Sequence, residues 1–409
     1  MKFIHSADIH LDSPFKGLRK APDQVWQLIH DSTYRAFSNL VTTAIKENVD
    51  FVLIVGDLFD QVQHSIRADL FVNEQFERLN QKQIPVYLSY GNHDYLNDNT
   101  EIINYPKNVH VFSSNPQKEQ LTLKDGTTVS IIGFSYDKQA VKEDIVAEFP
   151  GRDQADFEIG TVHGSLDSLN APEANYAPFS ETELLNLHYD YWALGHIHKR
   201  QVLNEDPAII YSGNLQGRHK NEPGTKGFYL VSSEGEKLIP KFKEASVINW
   251  QKLTIEVTAA DTFDEIVKTI LHHIEILLDK QPNFIDVKIK NVQTLSGAVL
   301  TRIKDGSLLE VVQQKLLKNS QSWVYEITPV PAQELSNLSA LDSGFWEQSR
   351  KKIFTEENVT QIAGKLLNYS FITEALNEKS QDTQLQDLAE TLLLENGGRE
   401  EQNDEDTKD

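Results

Sequence analysis

Residues 51–60 read FVLIVGDLFD: five apolar residues, a glycine, then Asp57 and Asp60. A short apolar run bounded in this way is the pattern of a buried strand. A strand that stops at a carboxylate presents it at the carboxyl end, where ligands gather in α/β sheets. The same ending recurs along the first half of the chain. KFIHSADIH (2–10) ends at Asp8 and His10, VYLSYGNHD (86–94) at Asn92, His93 and Asp94, IGTVHG (159–164) at His163, and WALGHIH (192–198) at His196 and His198. In the last of these the two imidazoles sit at i and i+2, so on an extended chain they lean the same way.

Taken singly, each ending has an ordinary explanation. Asp8 could cap a helix, Gly56-Asp57 and Gly91-Asn92 could be turns, His163 could be a satisfied core histidine, and a His-x-His pair is common on solvated strands. Taken together, separate strand ends would have to acquire nitrogen and oxygen donors independently. A shared metal centre explains all of them at once.

Between these runs the apolar spacing changes to a helical period from about Asp23 to Glu47 and from about Ser65 to Gln81. Strand, helix, strand, helix, strand implies a buried sheet covered by helices, an α/β class. The runs VSIIGFSY, FEIGTVHGS, YDYWALGHIHK, AIIYSGNLQ and GFYLVSS follow at short spacing and suggest a second sheet of more antiparallel character. Past Ala245 the pattern changes again. Phe263, Ile266, Val267, Ile270, Leu271 and Ile274 form a helical stripe between alternating strands, and Ser307 with Glu310 has capping-box spacing before another helix. Expected domains are therefore 1–245, an α+β unit at 246–335, a helical segment at 336–395 and a disordered acidic tail at 396–409. The thin stripes around Val359, Ile362, Leu366 and Leu385 to Leu393 suit either packing on their own domain or docking on a partner helix.

The chain has no cysteine, so thiolate and disulfide chemistry is excluded and any metal must be held by nitrogen and oxygen. With 39 basic and 61 acidic side chains the formal charge is 39 − 61 = −22, which argues against a general positive field for nucleic acid. DNA contact, if made, must be local. The loop NLQGRHKNEPGTKG (214–227), with Arg218, His219, Lys220 and Lys226, is either an ordinary exposed turn or such a patch. Eleven of the thirteen histidines lie at or before His219, so histidine chemistry belongs to the first half. No apolar run has the length of a signal peptide or a membrane span, and a cytoplasmic protein is expected.

Carboxylates, imidazoles and one amide, without sulfur, suit manganese, iron or zinc. Seven donors exceed one tetrahedral site and match two metals sharing a carboxylate. Two cations roughly 3.5 to 4 Å apart activate water and stabilise both oxygens of an in-line displacement at phosphorus. Phosphoester hydrolysis is the expected reaction.

The motif order D-x-H (Asp8, His10), G-D (Asp57), G-N-H-D (Gly91 to Asp94), V-H-G (His163) and G-H-x-H (His196, His198) resembles the calcineurin-like metallophosphoesterases, and within them the SbcD-type DNA repair nucleases of the YhaO branch. The resemblance implies a two-sheet αββα sandwich with a small capping domain. It implies one metal on Asp8, His10, Asp57 and His198 and another on Asp57, Asn92, His163 and His196, with manganese expected. His93 would then face the scissile phosphate and Asp94 would orient its ring. One departure stands out: where the typical nuclease has G-D-x-x-H, this chain has Asp60, which when ionised cannot donate and repels phosphate. Asp60 either orients another group such as His93, marks weaker or different nuclease activity, or is an ordinary solvated loop carboxylate. The resemblance further implies a coiled-coil ATPase partner of the SMC type, docked on the C-terminal helical segment, and a homodimer through helices of the core.

Three functions compete at this point: a metal-dependent DNA nuclease, a phosphodiesterase or phosphatase for small nucleotides, and a weakly catalytic scaffold that positions DNA ends.

Overall fold

The computed structural model describes residues 1–15, 21–96, 104–167, 176–277, 281–319 and 322–330, together with 352–353, 355, 358, 361–362 and 364. The expected docking segment 336–395, apart from those few positions, and the tail 396–409 lie outside the described residues.

The first half runs β1 (Lys2–Ser6), α1 (Asp23–His30), α2 (Ser32–Glu47), β2 (Phe51–Val55), α3 (Ile66–Asn80), β3 (Val86–Ser89), β4 (Val109–Val111), β5 (Gln117–Thr122), β6 (Thr128–Gly133), β7 (Phe157–His163), α4 (Glu181–Asn186) and β8 (Tyr191–Gly195). Then come β9 (Gln201–Glu205), β10 (Ala208–Tyr211), β11 (Gly227–Glu234), β12 (Lys237–Glu244), β13 (Asn249–Glu256), α5 (Phe263–Leu277), β14 (Asn283–Lys290), α6 (Gly297–Lys304), α7 (Ser307–Asn319) and β15 (Trp323–Val330). The helical pattern at 23–47 is two helices, because the chain turns at Asp31 (φ −88°, ψ −2°). α3 begins where Ser65 accepts a hydrogen bond from Ala68 N at 3.2 Å, an N-cap that satisfies one free amide of the first turn.

One sheet has the order β12-β11-β1-β2-β3-β4 and the other β5-β6-β7-β8-β10-β9. The expected placing of GFYLVSS in the second sheet is corrected: β11 pairs antiparallel with β1, Phe3 opposite Val231. Its residues Phe228 to Val231 are buried on both faces, which suits an interior position between β1 and β12. The second sheet is also less antiparallel than expected. β6, β7, β8 and β10 run parallel, and only the edge pairs β5–β6 and β9–β10 are antiparallel.

Alternation along the strands sends one set of side chains between the sheets and the other outward. Phe3, Phe51, Leu53 and Val55 of the first sheet meet Ile131, Ile159, Tyr191 and Ile210 of the second. Ile4, Val52 and Ile54 point the other way, into Phe37, Leu40 and Val41 of α2 and Val72 and Phe76 of α3. On the far side Ile132, Trp192 and Leu194 are covered by Phe149 and Leu184. Each such side chain contributes about 1.5 to 3 kcal/mol on burial, and the result is the expected αββα layering.

A third sheet, β13-β14-β15, follows. On α5, Phe263, Ile266, Val267, Ile270 and Ile274 are buried, as the stripe predicts. Ile248, Trp250, Phe284 and Trp323 close over Phe15, Val25 and Ile29, so this sheet rests on α1. α7 begins at Ser307, whose N–H is capped by Asp305 at 2.9 Å. Among the described residues the contacts divide the chain into a larger unit, 1–255, 262–288 and 301–328, and a smaller one that includes 256–261, 289–300 and 329–330. Within the smaller unit Asp261 closes a turn by accepting from Thr258 N at 2.6 Å. No helix among the described residues is long and apolar enough to cross a membrane.

Candidate metal centre

The loops that follow β1 and β2 are laced together. Ile9 N and His10 N donate to Asp57 O at 2.9 and 3.0 Å, and Leu11 N donates to Leu58 O at 2.9 Å. The lacing bends the backbone into the left-handed region at Asp8 (φ 52°), His10 (φ 49°) and Asp57 (φ 53°), and His196 beyond β8 adopts φ 90°. Left-handed conformation costs a residue with a Cβ about 1 to 2 kcal/mol. Four non-glycine residues held there at one edge mark a site where geometry outranks stability.

The seven predicted donors converge. His10 Nε2 lies 3.0 Å from His198 Nε2, 3.6 Å from Asp57 Oδ2 and 4.0 Å from Asp8 Oδ1. His198 Nε2 is 3.8 Å from Asp8 Oδ1. Alongside, His163 Nε2 is 3.4 Å from Asp57 Oδ2 and 3.1 Å from Asn92 Oδ1, which His196 Nδ1 also approaches at 3.1 Å. Asp8, His10, Asp57 and His163 are buried. Asp57 Oδ2 lies between His10 and His163, and Asp8 clusters both with His10 and His198 and with Asp57 and His163.

Glycines make room for this crowding. A Cβ on Gly91 would fall 2.3 Å from Asp57 Oδ1 and 2.6 Å from His163 Nε2, and one on Gly56 (φ 79°) would fall 2.1 Å from His163 Nδ1.

The donor atoms fit cations. His163 Nδ1 can only donate to the carbonyl of Val55, 3.0 Å away, so in the neutral ring Nε2 is a lone pair aimed at the oxygens of Asn92 and Asp57. Burial opposes a charged ring there, yet Asp57 and Asp8 outweigh it and hold His163 up to about 9. A pocket that protonates a buried imidazole is negative enough to draw in positive charge. Burial keeps His196 down to about 3, helped by the neighbouring His163, and burial with the nearby Arg218 holds His10 well below the usual range. Neutral imidazoles are what metal ligation requires. Groups that could hold an ion are Asp8, His10 and His198; Asp8, Asp57 and His163; and His10, Asp60 and His93.

His93 sits at the rim. Its N–H donates to Asp57 Oδ1 at 3.0 Å, and its Nδ1–H donates to the backbone carbonyl of Asp60 at 2.8 Å. Asp94 does something other than orient that ring. Its carboxylate accepts from Leu58 N, Phe59 N and Gly91 N at 2.7, 3.1 and 2.7 Å, binding the β2 and β3 loops together. Burial and the Asp57 charge push Asp94 up to about 7 against those donors.

Asp60 is buried and pairs with Arg218, and its Oδ1 lies 3.5 Å from His10 Nδ1. Arg218 is therefore inside the site, with its side chain 14% exposed, and is no rim residue. Lys220 pairs with Glu326 at 2.8 Å, while the His219 side chain is 55% exposed. Sequence reasoning missed Glu222. It is buried in that same loop and accepts from His198 Nδ1 at 2.6 Å, Asn214 Nδ2 at 2.8 Å and Arg218 N at 2.7 Å. The one local signal was a single acid among Arg218, His219, Lys220 and Lys226.

Residues 1–200 match the calcineurin-like phosphoesterase family, so the chain carries a calcineurin-like metallophosphoesterase domain. It is 43% identical over 262 residues to the uncharacterized metallophosphoesterase YhaO of Bacillus subtilis, a match covering 64% of this chain and 64% of that protein. Less than two thirds of that relative's length is therefore spanned. The DNA double-strand break repair protein Mre11 of Methanocaldococcus jannaschii is 25% identical over 282 residues, 66% of this chain and 73% of that one. A dimetal phosphatase of known structure from Danio rerio overlaps 60% of this chain and 96% of its own at 11% identity and a TM-score of 0.36.

Proposed function

We propose that the protein is a binuclear-metal phosphodiesterase that degrades DNA in repair, acting with an SMC-like coiled-coil ATPase. The observation that carries the chemistry is Asp57 Oδ2, 3.6 Å from His10 Nε2 and 3.4 Å from His163 Nε2, a carboxylate oxygen shared by two donor groups. Asp8, His10, Asp57 and His198 would hold one divalent cation and Asp57, Asn92, His163 and His196 the other, manganese suiting this sulfur-free set. When bound, such a pair supplies Lewis acidity, acidifying a water and offsetting charge on the attacking and leaving oxygens of a phosphate ester.

The chain's own residues do the rest. With Nδ1–H held by the Asp60 carbonyl, His93 keeps Nε2 for the substrate and, when protonated, gives that proton to the leaving oxygen. The Arg218 guanidinium offsets the Asp60 carboxylate, so this departure from the nuclease pattern need not repel phosphate. DNA as substrate is supported by the several relatives named as DNA double-strand break repair proteins. His219 and Lys220 are the local contacts proposed for the phosphodiester backbone. A cytoplasmic homodimer is also proposed, its contact being the face of α3 where Ile66 and Leu70 are 76% and 67% exposed.

Purified protein with manganese, offered linear duplex, single-stranded DNA and a small chromogenic phosphodiester, tests the reading. Release of nucleotides that disappears in Asp57→Ala and His93→Ala is expected. Turnover of the small ester alone would reassign the protein to small nucleotides, and no turnover with intact DNA binding would make it a scaffold. Co-purification of an SMC-like ATPase, lost on removing residues 336–409, tests the partner.

A further inference from the structure

The two donor groups are anchored differently. In the group of Asp57, Asn92, His163 and His196, the ring of His163 is fixed by the main chain, through Val55 O at 3.0 Å. In the group of Asp8, His10, Asp57 and His198, both outer imidazole nitrogens face carboxylates tied to one loop, that of His198 through a hydrogen bond and that of His10 without one. His198 Nδ1 donates to Glu222 Oε1 at 2.6 Å. His10 Nδ1 lies 3.5 Å from Asp60 Oδ1, and Asp60 is clamped by Arg218, whose own N–H donates to Glu222 Oε2 at 2.7 Å.

The loop is built to stay put. Asn214 Nδ2 donates to Glu222 Oε2 at 2.8 Å and Lys226 Nζ to His198 O at 3.0 Å. Trp250 Nε1 donates to Gly217 O at 2.8 Å and Gln216 Nε2 to Ile248 O at 2.9 Å, fastening it to the segment that leads into the third sheet. Residues 214–226 lie beyond the 1–200 stretch that matches the phosphoesterase family.

We infer that Glu222, together with the Arg218–Asp60 pair, is a positioning device for one of the two cations only, the one held by His10 and His198. A carboxylate on the outer nitrogen of a ligating histidine fixes its tautomer and orientation and raises its basicity, and loss of such a partner costs typically about 10- to 100-fold in metal affinity. The other cation, whose ligand His163 is set by the backbone and whose histidines make no contact with Glu222 or Asp60, does not depend on the loop. This rests on the two-cation reading above.

The test is manganese titration of the full chain by calorimetry, with bound manganese counted by paramagnetic resonance. Wild type is expected to take two ions. Glu222→Gln, close in shape, should weaken one ion by about 10- to 100-fold and leave the other within about twofold. Asp60→Asn, which leaves Glu222 in place, should weaken the same ion, and it carries the test alone should Glu222→Gln not fold. Equal weakening of both ions, or of neither, in a folded variant overturns the inference. A wild type that takes up no manganese overturns the two-cation reading instead.

Discussion

The imidazoles of His10 and His198, which come from opposite ends of the catalytic half of the chain, meet Nε2 to Nε2 at 3.0 Å. With His198 Nδ1–H committed to Glu222, a neutral His198 presents a lone pair to His10, and two such nitrogens repel unless a proton or a cation lies against them. Cation binding is thus expected to stabilise the fold. At manganese about 100-fold above its dissociation constant the gain is about 2.7 kcal/mol. Thermal melting should shift upward with manganese and fall back with chelator, and Asp57→Asn should abolish most of the shift.

His93 reaches Asp57 through its backbone N–H, and its ring, held by the Asp60 carbonyl, packs edge-on against His10 with centroids 4.8 Å apart. Removing the ring should spare metal uptake and damage turnover. His93→Ala is expected to lower kcat by about 100- to 10,000-fold, the usual contribution of a general acid, with unchanged manganese stoichiometry by titration. Loss of bound metal would show that the ring serves the cations instead.

Gly91→Ala should fail for a steric reason. The added methyl would fall 2.3 Å from Asp57 Oδ1 and 2.6 Å from His163 Nε2, displacing the shared carboxylate. Overpacking of this kind costs about 1 to 3 kcal/mol, and metal affinity should fall with stability. Gly297→Ala, where a Cβ meets nothing within 4 Å, is the matched control and should leave both unchanged.

His5 is buried between the sheets, with Nδ1 3.0 Å from Tyr191 Oη and Nε2 3.2 Å from Leu194 O. Burial pushes it down to about 3 from an ordinary 6.5, against the pull of the Leu194 carbonyl. The unfolded chain therefore binds this proton where the native one does not, so stability is full above about pH 6.5 and falls as pH drops toward 3. The loss attributable to this group between pH 7 and pH 5 is about 2 kcal/mol. Urea unfolding at the two pH values should show it, and His5→Gln should flatten the difference by that amount.

Leu70→Glu tests the proposed homodimer. Leu70 is 67% exposed, so the substitution should leave monomer stability within about 0.5 kcal/mol while shifting sedimentation to the monomer. An unchanged assembly would move the contact elsewhere, or deny it.

The candidate donors were legible because the seven of them close five apolar runs, a signal confined in each case to about ten residues of local sequence. Asp8, His10, Asp57, Asn92, His163, His196 and His198 meet where the strand ends predict. What the sequence left dark depends on contacts across the chain. Glu222 reaches His198 from 24 positions away, and Arg218 reaches Asp60 across 158, with no local pattern announcing either. Asp94 follows His93 directly and was expected to serve it, but its neighbours in space are the amides of Leu58, Phe59 and Gly91. The partner of β11 was misread for the same reason: a run buried on both faces suits either sheet, and only packing decides which.

The left-handed backbone at Asp8, His10, Asp57 and His196 sets a limit on redesign. Glycine at any of these four would relax the main chain and at the same stroke delete a donor. The usual route to a hardier variant is thus closed at the corners where the chain is least at ease, and any gain in robustness has to be sought in the helices and outer layers.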